Sequence, residues 1–286
     1  MPSISTRFNR FFLVLTASYG IFASAAADIP SLSPDYYSWL GGQIFDKECN
    51  SELSCLTHWN RGEDFPSMGI GHFIWYRGGQ NAGFEETFPQ LLAYLSTHGV
   101  TLPEWIDDPL AAENPWPSRE VFYADYDHKP MEELRELLFR TRNLQAAFIV
   151  ERFEETAQQI INSTTADQRA TVEESLYEVA NTSPPLGLYG LIDYLHFKGS
   201  GLNPEERYRG QGWGLQQVLI EMNQSQQSET GSTATSLDAF VEAAITVLQR
   251  RVDNAPPARN EQRWLPGWTN RVQSYASPES PPTLAH

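Results

Sequence analysis

The stretch "GEDFPSMGIGHFIWY", residues 62–76, is central to the interpretation of this chain. Two acids, Glu63 and Asp64, precede Ser67, and two glycines separated by one residue then precede His72. The stretch has no helical periodicity, is dense in turn-forming residues and ends in the β-prone run "HFIWY", which predicts a small hairpin or sheet. Glycine permits a tight backbone path or the close approach of a ligand. The same turn could therefore form the floor of a binding cleft.

A helix is predicted immediately upstream, over "SPDYYSWLGGQIFDKE" (33–48), with Ser33 as the N-cap and Pro34 in the first helical position. One face of this helix carries an apolar stripe that ends in a carboxylate: Tyr36, Leu40, Ile44 and Glu48. We expect such a carboxylate to be partly desolvated, which favours the protonated form that general-acid catalysis requires. The alternative is a surface glutamate at a fraying helix end.

The chain from residue 84 onward is mostly helical in pattern. Apolar residues recur three and four apart in seven segments: "FPQLLAYL", "SREVFYADY", "MEELRELLFRTRNLQAAFIVERFEETAQQII", "DQRATVEESLYEVA", "LGLYGLIDYLHF", "WGLQQVLIEM" and "SLDAFVEAAITVLQRRV". Residues 223–236 are predicted to form a polar surface loop and residues 276–286 a disordered tail. The pattern predicts an α+β fold, predominantly α-helical, in one domain over 28–275 with a small β lobe and a larger helical lobe. Helices over about 84–182 could shape a substrate cleft.

The first 27 residues have the pattern of a secretory signal peptide. Two arginines precede an apolar run over 11–23, and small residues follow, which predicts cleavage after Ala25 or Ala27. A short membrane anchor is the alternative, but the run is shorter than the ~18 residues that a span requires. We therefore expect an exported protein, periplasmic or secreted, with no membrane span after cleavage.

The charge of the chain restricts its partners. The formal net charge is −16, and it becomes −18 when residues 1–27 are removed, because they carry two arginines and no acid. This balance argues against nucleic acid as a partner and suits a neutral or cationic substrate, although solubility alone could also explain it. Hydrophobic residues make up 41% of the chain, enough for a sizeable core, and we expect a monomer.

The two cysteines, Cys49 and Cys55, enclose five residues. In an oxidising compartment they are expected to form a local disulfide directly after the predicted helix. A metal site is the rival interpretation, but two thiols without a nearby pair of histidines provide too few ligands. Neither a metal nor a cofactor is predicted.

Three segments resemble the phage-type lysozymes. "SMGIGHFIWY", following a helix that ends in "FDKEC", is similar to the hairpin of that family, where a catalytic glutamate ends the first helix and a "T-I-G-x-G-H" strand follows. "LYGLIDYLHFKGSG" resembles the family's buried helix and its glycine-rich end. "RWLPGWTNRVQSY" is similar to the "P-G-L-x-N-R-R" helix that closes the domain. The segments occur in the family's order and together cover a minor part of the chain.

The resemblance implies a lysozyme-like fold with Glu48 as general acid. It places Ser67 at the position of the family's active-site threonine, where its hydroxyl could hold a water, and Arg61 at that of the catalytic aspartate. Hydrolysis of a glycosidic bond usually needs a second carboxylate, for which Glu63 is our choice and Asp64 the alternative. In lysozyme-like lytic transglycosylases, an intramolecular attack needs only one strong acid, and this mechanism stays open.

The remaining candidate residues are a histidine and several aromatic side chains. His72 has no HExxH motif and no second histidine at ligand spacing, so it is predicted to be a structural, hydrogen-bonding histidine. Trp75 is predicted to belong to the core. Candidate sugar-binding residues lie near the hairpin and in "RYRGQGWG" (207–214): Trp59, Tyr76, Tyr208, Gln211 and Trp213. Core packing is the alternative for the aromatic residues, and for Trp213 the sequence favours neither.

Together these patterns predict an exported glycosidase that cleaves a β-1,4-linked amino-sugar polymer, foremost peptidoglycan, as a muramidase or a lytic transglycosylase. A chitosanase-like hydrolase of a cationic polymer is an alternative that the negative charge favours. A third alternative is a non-catalytic, lysozyme-like protein that binds the cell wall, because fold alone does not establish function.

Overall fold

A computed structural model of the chain describes residues 29–30, 32–80, 85–226 and 235–276, without the side chains of 224–226. The predicted signal peptide (1–27) lies outside the described residues. So does the predicted tail, apart from its first residue.

The described part of the chain is predominantly helical and contains small antiparallel sheets, which confirms the predicted α+β class. The helices are α1 (Pro34–Cys49), α2 (Phe88–Thr97), α3 (Arg119–Ala124), α4 (Lys129–Arg140), α5 (Arg142–Ser163), α6 (Arg169–Asn181), α7 (Leu186–Lys198), α8 (Leu215–Gln226), α9 (Ser236–Asn254) and α10 (Leu265–Gln273). The strands are β1 (Thr57–His58), β2 (Ser67–Met68), β3 (Phe73–Ile74), β4 (Arg207–Tyr208) and β5 (Gln211–Gly212). Short 3-10 turns cover Leu53–Leu56, Pro257–Arg259, Glu261–Arg263 and Ser274–Ala276.

Helix α1 begins as the sequence predicts. The Ser33 hydroxyl accepts a hydrogen bond from the Tyr36 amide at 3.3 Å, and Pro34 occupies the first turn. A glycine then allows α1 to pack closely on α5, because a Cβ on Gly41 would lie 2.9 Å from the backbone oxygen of Arg142. This packing fixes the direction in which the end of α1 points.

The segment 131–161, predicted as one helical stretch, is divided between α4 and α5 at Thr141. Thr141 has φ −99° and ψ 13°, and its hydroxyl donates to the Leu137 carbonyl at 2.8 Å. Such a side-chain bond competes with continuation of the backbone ladder. Apolar periodicity is the same on both sides of the break, so the sequence pattern does not reveal it.

The sheet predicted around residues 56–76 is present, with strand order β1–β2–β3 and antiparallel pairing throughout. Its turn needs a glycine at Gly69, where φ is +70°. The Ile70 amide donates to the Gln145 side chain at 3.0 Å, which attaches this turn to α5. Trp75 is fully buried, as predicted for a core residue.

The predicted polar loop over 223–236 is shorter at both ends than expected. Helix α8 continues to Gln226, and α9 begins at Ser236 with a capping box between Thr235 and Asp238. Polar residues without apolar periodicity can extend a helix that is already nucleated, so composition alone misplaces its end.

Candidate active site

Glu48 lies in the last turn of α1, where the chain reverses. Asn50 adopts a left-handed conformation with φ 49° and its amide donates to the Asp46 carbonyl at 2.8 Å, which ends the helix. The predicted disulfide between Cys49 and Cys55 then holds the following turn against the helix end. The carboxylate of Glu48 is thus presented from a fixed backbone, with its side chain 23% exposed.

An arginine from α10 and an aspartate from α7 meet at this carboxylate. Arg271 donates to Glu48 Oε1 at 2.5 Å and forms two hydrogen bonds of 2.8 Å to the carboxylate of Asp193. Tyr275 donates to Asp193 as well, at 2.5 Å. Three helices therefore converge on one charged group, which we call the Glu48–Arg271–Asp193 cluster.

The cluster carries two negative charges and one positive charge. Burial alone would lower the pKa of Arg271, but the hydrogen bonds and charge of Asp193, together with Glu48, raise that pKa above its usual range. Asp193 is buried and forms two bonds to the guanidinium, so it is the principal counter-ion. Glu48, with one bond and partial exposure, is the carboxylate in excess.

His72 links Glu48 to the sheet. Its Nδ1 atom lies 3.8 Å from Glu48 Oε2, and its Nε2 atom lies 3.5 Å from Cys55 Sγ. Burial is the largest influence on the pKa of His72 and lowers it. The negative charge of Glu48 opposes this effect. His58 lowers the pKa further, and Glu63 raises it. The ring is therefore neutral at neutral pH, able to accept or donate one hydrogen bond beside the carboxylate.

The candidate second carboxylates differ in position. Glu63 accepts a hydrogen bond from the Asn60 side chain at 3.1 Å, and its charge reaches His72. Asp64 is exposed, as is Arg61. Of the two acids, Glu63 is thus the one whose charge acts on His72.

Ser67 is in strand β2, where it pairs with His58 and Ile74. The residue is 7% exposed, and its hydroxyl forms no hydrogen bond to any described residue.

A cavity of about 390 Å³ lies between the sheet, α5 and α7. Its floor is apolar and includes Phe73, Ile149, Phe153 and Ile192. Its polar lining includes His72, Thr87, Glu85, Arg152, His196 and Ser200. His72 thus belongs to this cavity and also contacts Glu48, so the cavity and the cluster form one candidate site.

Two of the charged groups in this cavity neutralise each other. Arg152 donates to Glu85 at 2.6 Å, and this hydrogen bond lowers the pKa of Glu85. A larger cavity of about 600 Å³ lies elsewhere, against Trp105 and α4, and neither Glu48 nor His72 lines it. Size alone therefore does not identify the candidate site.

Two of the predicted sugar-binding residues are in the core instead. Trp59 is 3% exposed, packs edge-on against Phe122 and donates from its indole nitrogen to the Glu63 carbonyl at 2.7 Å. Tyr76 is 5% exposed and packs against Phe65. Neither ring offers a free face to a sugar, because large aromatic side chains near a motif are more often needed for packing.

The predicted second site, "RYRGQGWG", forms the small β4–β5 hairpin. Trp213 is buried under Arg251, whose guanidinium lies 4.1 Å from the indole centre. Tyr208 donates to Glu261 at 2.8 Å, and only part of its ring is exposed. Gln211 is exposed and lines a separate cavity of about 270 Å³. Trp213 is thus a packing residue, whereas Gln211 is open to a ligand.

One group of possible metal ligands occurs among the described residues. The ligand atoms of Cys49, Cys55 and His72 lie within 4.8 Å of one another. Sequence reasoning did not add His72 to the two cysteines as a third possible ligand, because His72 is not adjacent to them along the chain. Both sulfurs are bonded to each other in the disulfide, so neither is a thiolate that could bind a metal.

Sequence reasoning missed several residues of the site. Asp193 could have been noticed as the acid in an otherwise apolar helix, and Arg271 lies in "TNR", a motif quoted above without a role. Nothing in the sequence pattern distinguishes His196 as a cavity residue.

Comparison of the chain with protein-family models, with curated proteins and with solved structures finds no match. Within the described residues, every helix is too short or too polar to cross a membrane.

Proposed function

We propose that this chain is an exported glycosidase with a lysozyme-like fold that cleaves a β-1,4-linked amino-sugar polymer, foremost peptidoglycan. The observation that carries the proposal is the position of Glu48. It ends a rigid helix, pairs with Arg271 and contacts His72, which lines a cavity of about 390 Å³. A carboxyl group fixed beside a polar cleft is what protonation of a glycosidic oxygen requires.

The charge balance of the cluster supports the acid role of Glu48. Asp193 already compensates Arg271 through two hydrogen bonds, so a proton on Glu48 leaves the cluster neutral. Glu48 would then donate this proton to the leaving oxygen.

Glu63 and Ser67 supply the rest of the proposed hydrolytic site. The carboxylate of Glu63 would stabilise positive charge on the sugar, and the Ser67 hydroxyl would position a water. If the second carboxylate is dispensable, the same acid would serve a lytic transglycosylase, in which a hydroxyl of the substrate attacks instead of water.

The cavity favours a neutral, N-acetylated sugar. Glu85 is neutralised by Arg152, and His72 is neutral, so the described residues that line the cavity itself carry no unpaired carboxylate. The apolar floor could accept an acetamido methyl group. A chitosan-type polymer is the second candidate, because the net charge of −18 would attract a cationic chain to the protein as a whole.

The replacement Glu48→Gln tests the proposal. We expect the rate of peptidoglycan clearance to fall at least about 100-fold. The free energy of unfolding should change by no more than about 1 kcal/mol, because Arg271 keeps Asp193 as its partner.

Glu52→Gln is the matched control, because Glu52 is exposed just beyond α1 and caps nothing with its side chain. Clearance by the Glu48→Gln variant at the rate of the control would refute the acid assignment. Binding of wild-type protein to peptidoglycan without any clearance would favour the non-catalytic alternative.

A further inference from the structure

His196 is exposed on a helix that is otherwise largely buried. Helix α7 buries every residue from Gly187 to Tyr194 and also Lys198, whereas His196 lines the 390 Å³ cavity. An exposed imidazole inside a cavity can reach a bound ligand directly.

The surroundings of His196 include the groups of the candidate acid site. His196 is an exposed residue, but the protein around the cavity partly desolvates its imidazole. This desolvation lowers the pKa of His196. The charges of Glu48 and Asp193 oppose this effect, and those of His72 and Arg271 add to it. His196 is therefore a neutral base at neutral pH.

The site has an acid but lacks the second carboxylate at the expected position. Arg61 stands there and is exposed, while Glu63 is hydrogen-bonded to Asn60. In hydrolysis with inversion, a general base must deprotonate the attacking water on the face of the sugar opposite the acid, with room for that water. Histidine is the side chain used most often for such proton transfer.

We propose that His196 is the general base that activates the attacking water in this cavity. In the step, the water oxygen bonds to the anomeric carbon while the bond from that carbon to the leaving oxygen breaks. His196 accepts the proton of the water, Glu48 gives its proton to the leaving oxygen, and both then exchange protons with solvent. The inference rests on the proposed glycosidase function and specifies hydrolysis with inversion, which leaves Glu63 an electrostatic role.

The titration of His196 depends on its desolvation and on charged groups from several elements. These groups are Glu48 on α1, Asp193 on α7, Arg271 on α10 and His72 beside β3. The paired Glu85 and Arg152 also face the cavity. A base must be unprotonated to act. We therefore expect kcat/KM of the wild type to fall as the pH falls through a pKa below that of an ordinary histidine.

The experiment compares His196→Ala, His196→Gln and the control His128→Ala, which removes an exposed histidine outside the cavity. Initial rates on purified peptidoglycan are measured against pH, with and without sodium azide, and the anomeric form of the product is followed by NMR. We expect both His196 variants to lose about 100-fold or more in kcat, with loss of the acidic limb of the pH profile. Azide should restore turnover of the alanine variant and yield a glycosyl azide of inverted configuration.

Several outcomes would overturn the inference alone. One is an unchanged rate and pH profile in His196→Ala. Another is full activity in His196→Gln, which would indicate a positioning role. A product with retained anomeric configuration, or a cyclised product, would also contradict the inference. In each case Glu48→Gln would still be inactive if the glycosidase proposal is correct. Absence of cleavage by the wild type would instead remove the proposed function, and the inference with it.

Discussion

Glu48 could be found by reading the sequence, but its pairing with Arg271 could not. Glu48 was identified because it continues an apolar stripe and because its helix resembles the first helix of phage-type lysozymes. Its partner Arg271 is 223 residues away, and Asp193 is 78 residues from that arginine. Contacts over such separations depend on how helices pack, which local periodicity does not encode.

The buried position of Asp193 beside Arg271 leads to a prediction for Asp193→Asn. The asparagine oxygen can still accept from Arg271 and Tyr275, but the principal counter-ion of the arginine is lost. A partly buried guanidinium would then lack one of its two charge-assisted partners.

We therefore expect Asp193→Asn to lower the free energy of unfolding by about 1–3 kcal/mol. The measurement is urea denaturation beside the control Asp167→Asn, which changes an exposed aspartate. Equal midpoints for the two variants would show that Asp193 is not the principal counter-ion of Arg271.

At the scale of elements, most helices and the three-stranded sheet followed from apolar spacing and turn residues. The Ser33 cap, the helix over Pro34–Cys49 and the disulfide after it were all confirmed. The break at Thr141 was not predicted, because apolar periodicity is the same on both sides of it. Trp59, Tyr76 and Trp213 were misassigned for a related reason: whether a ring packs or binds depends on tertiary contacts.

Gln145 connects two elements and gives a prediction of its own. Its side chain is fully buried, accepts from the Ile70 amide at 3.0 Å and donates to the Leu138 carbonyl at 2.6 Å. Gln145→Leu would leave the Ile70 amide without a partner at the turn that precedes His72. We expect a loss of about 1–3 kcal/mol in the free energy of unfolding.

Urea denaturation measures this loss, with Gln249→Leu as the control because Gln249 is an exposed helical glutamine. The control should stay within about 0.5 kcal/mol of the wild type. Equal midpoints for the two variants would mean that Gln145 does not secure the turn.

For the whole molecule, two features point to different substrates. The net charge of −18 without the first 27 residues favours a cationic polymer at long range. The cavity is lined by a neutralised Glu85–Arg152 pair and favours a neutral sugar at close range. Exposed charges are screened over a Debye length of about 8 Å at physiological ionic strength, so the cavity should decide which polymer is cleaved.

The most direct test of the account is mass spectrometry of the soluble products that wild-type protein and the Glu48→Gln variant release from purified peptidoglycan, with chitosan digested in parallel. We predict disaccharide-containing fragments with hydrolysed reducing ends from peptidoglycan and the wild type, far less from chitosan, and none from the variant. Equal fragment release by the Glu48→Gln variant, or no release from either polymer by the wild type, would contradict the account.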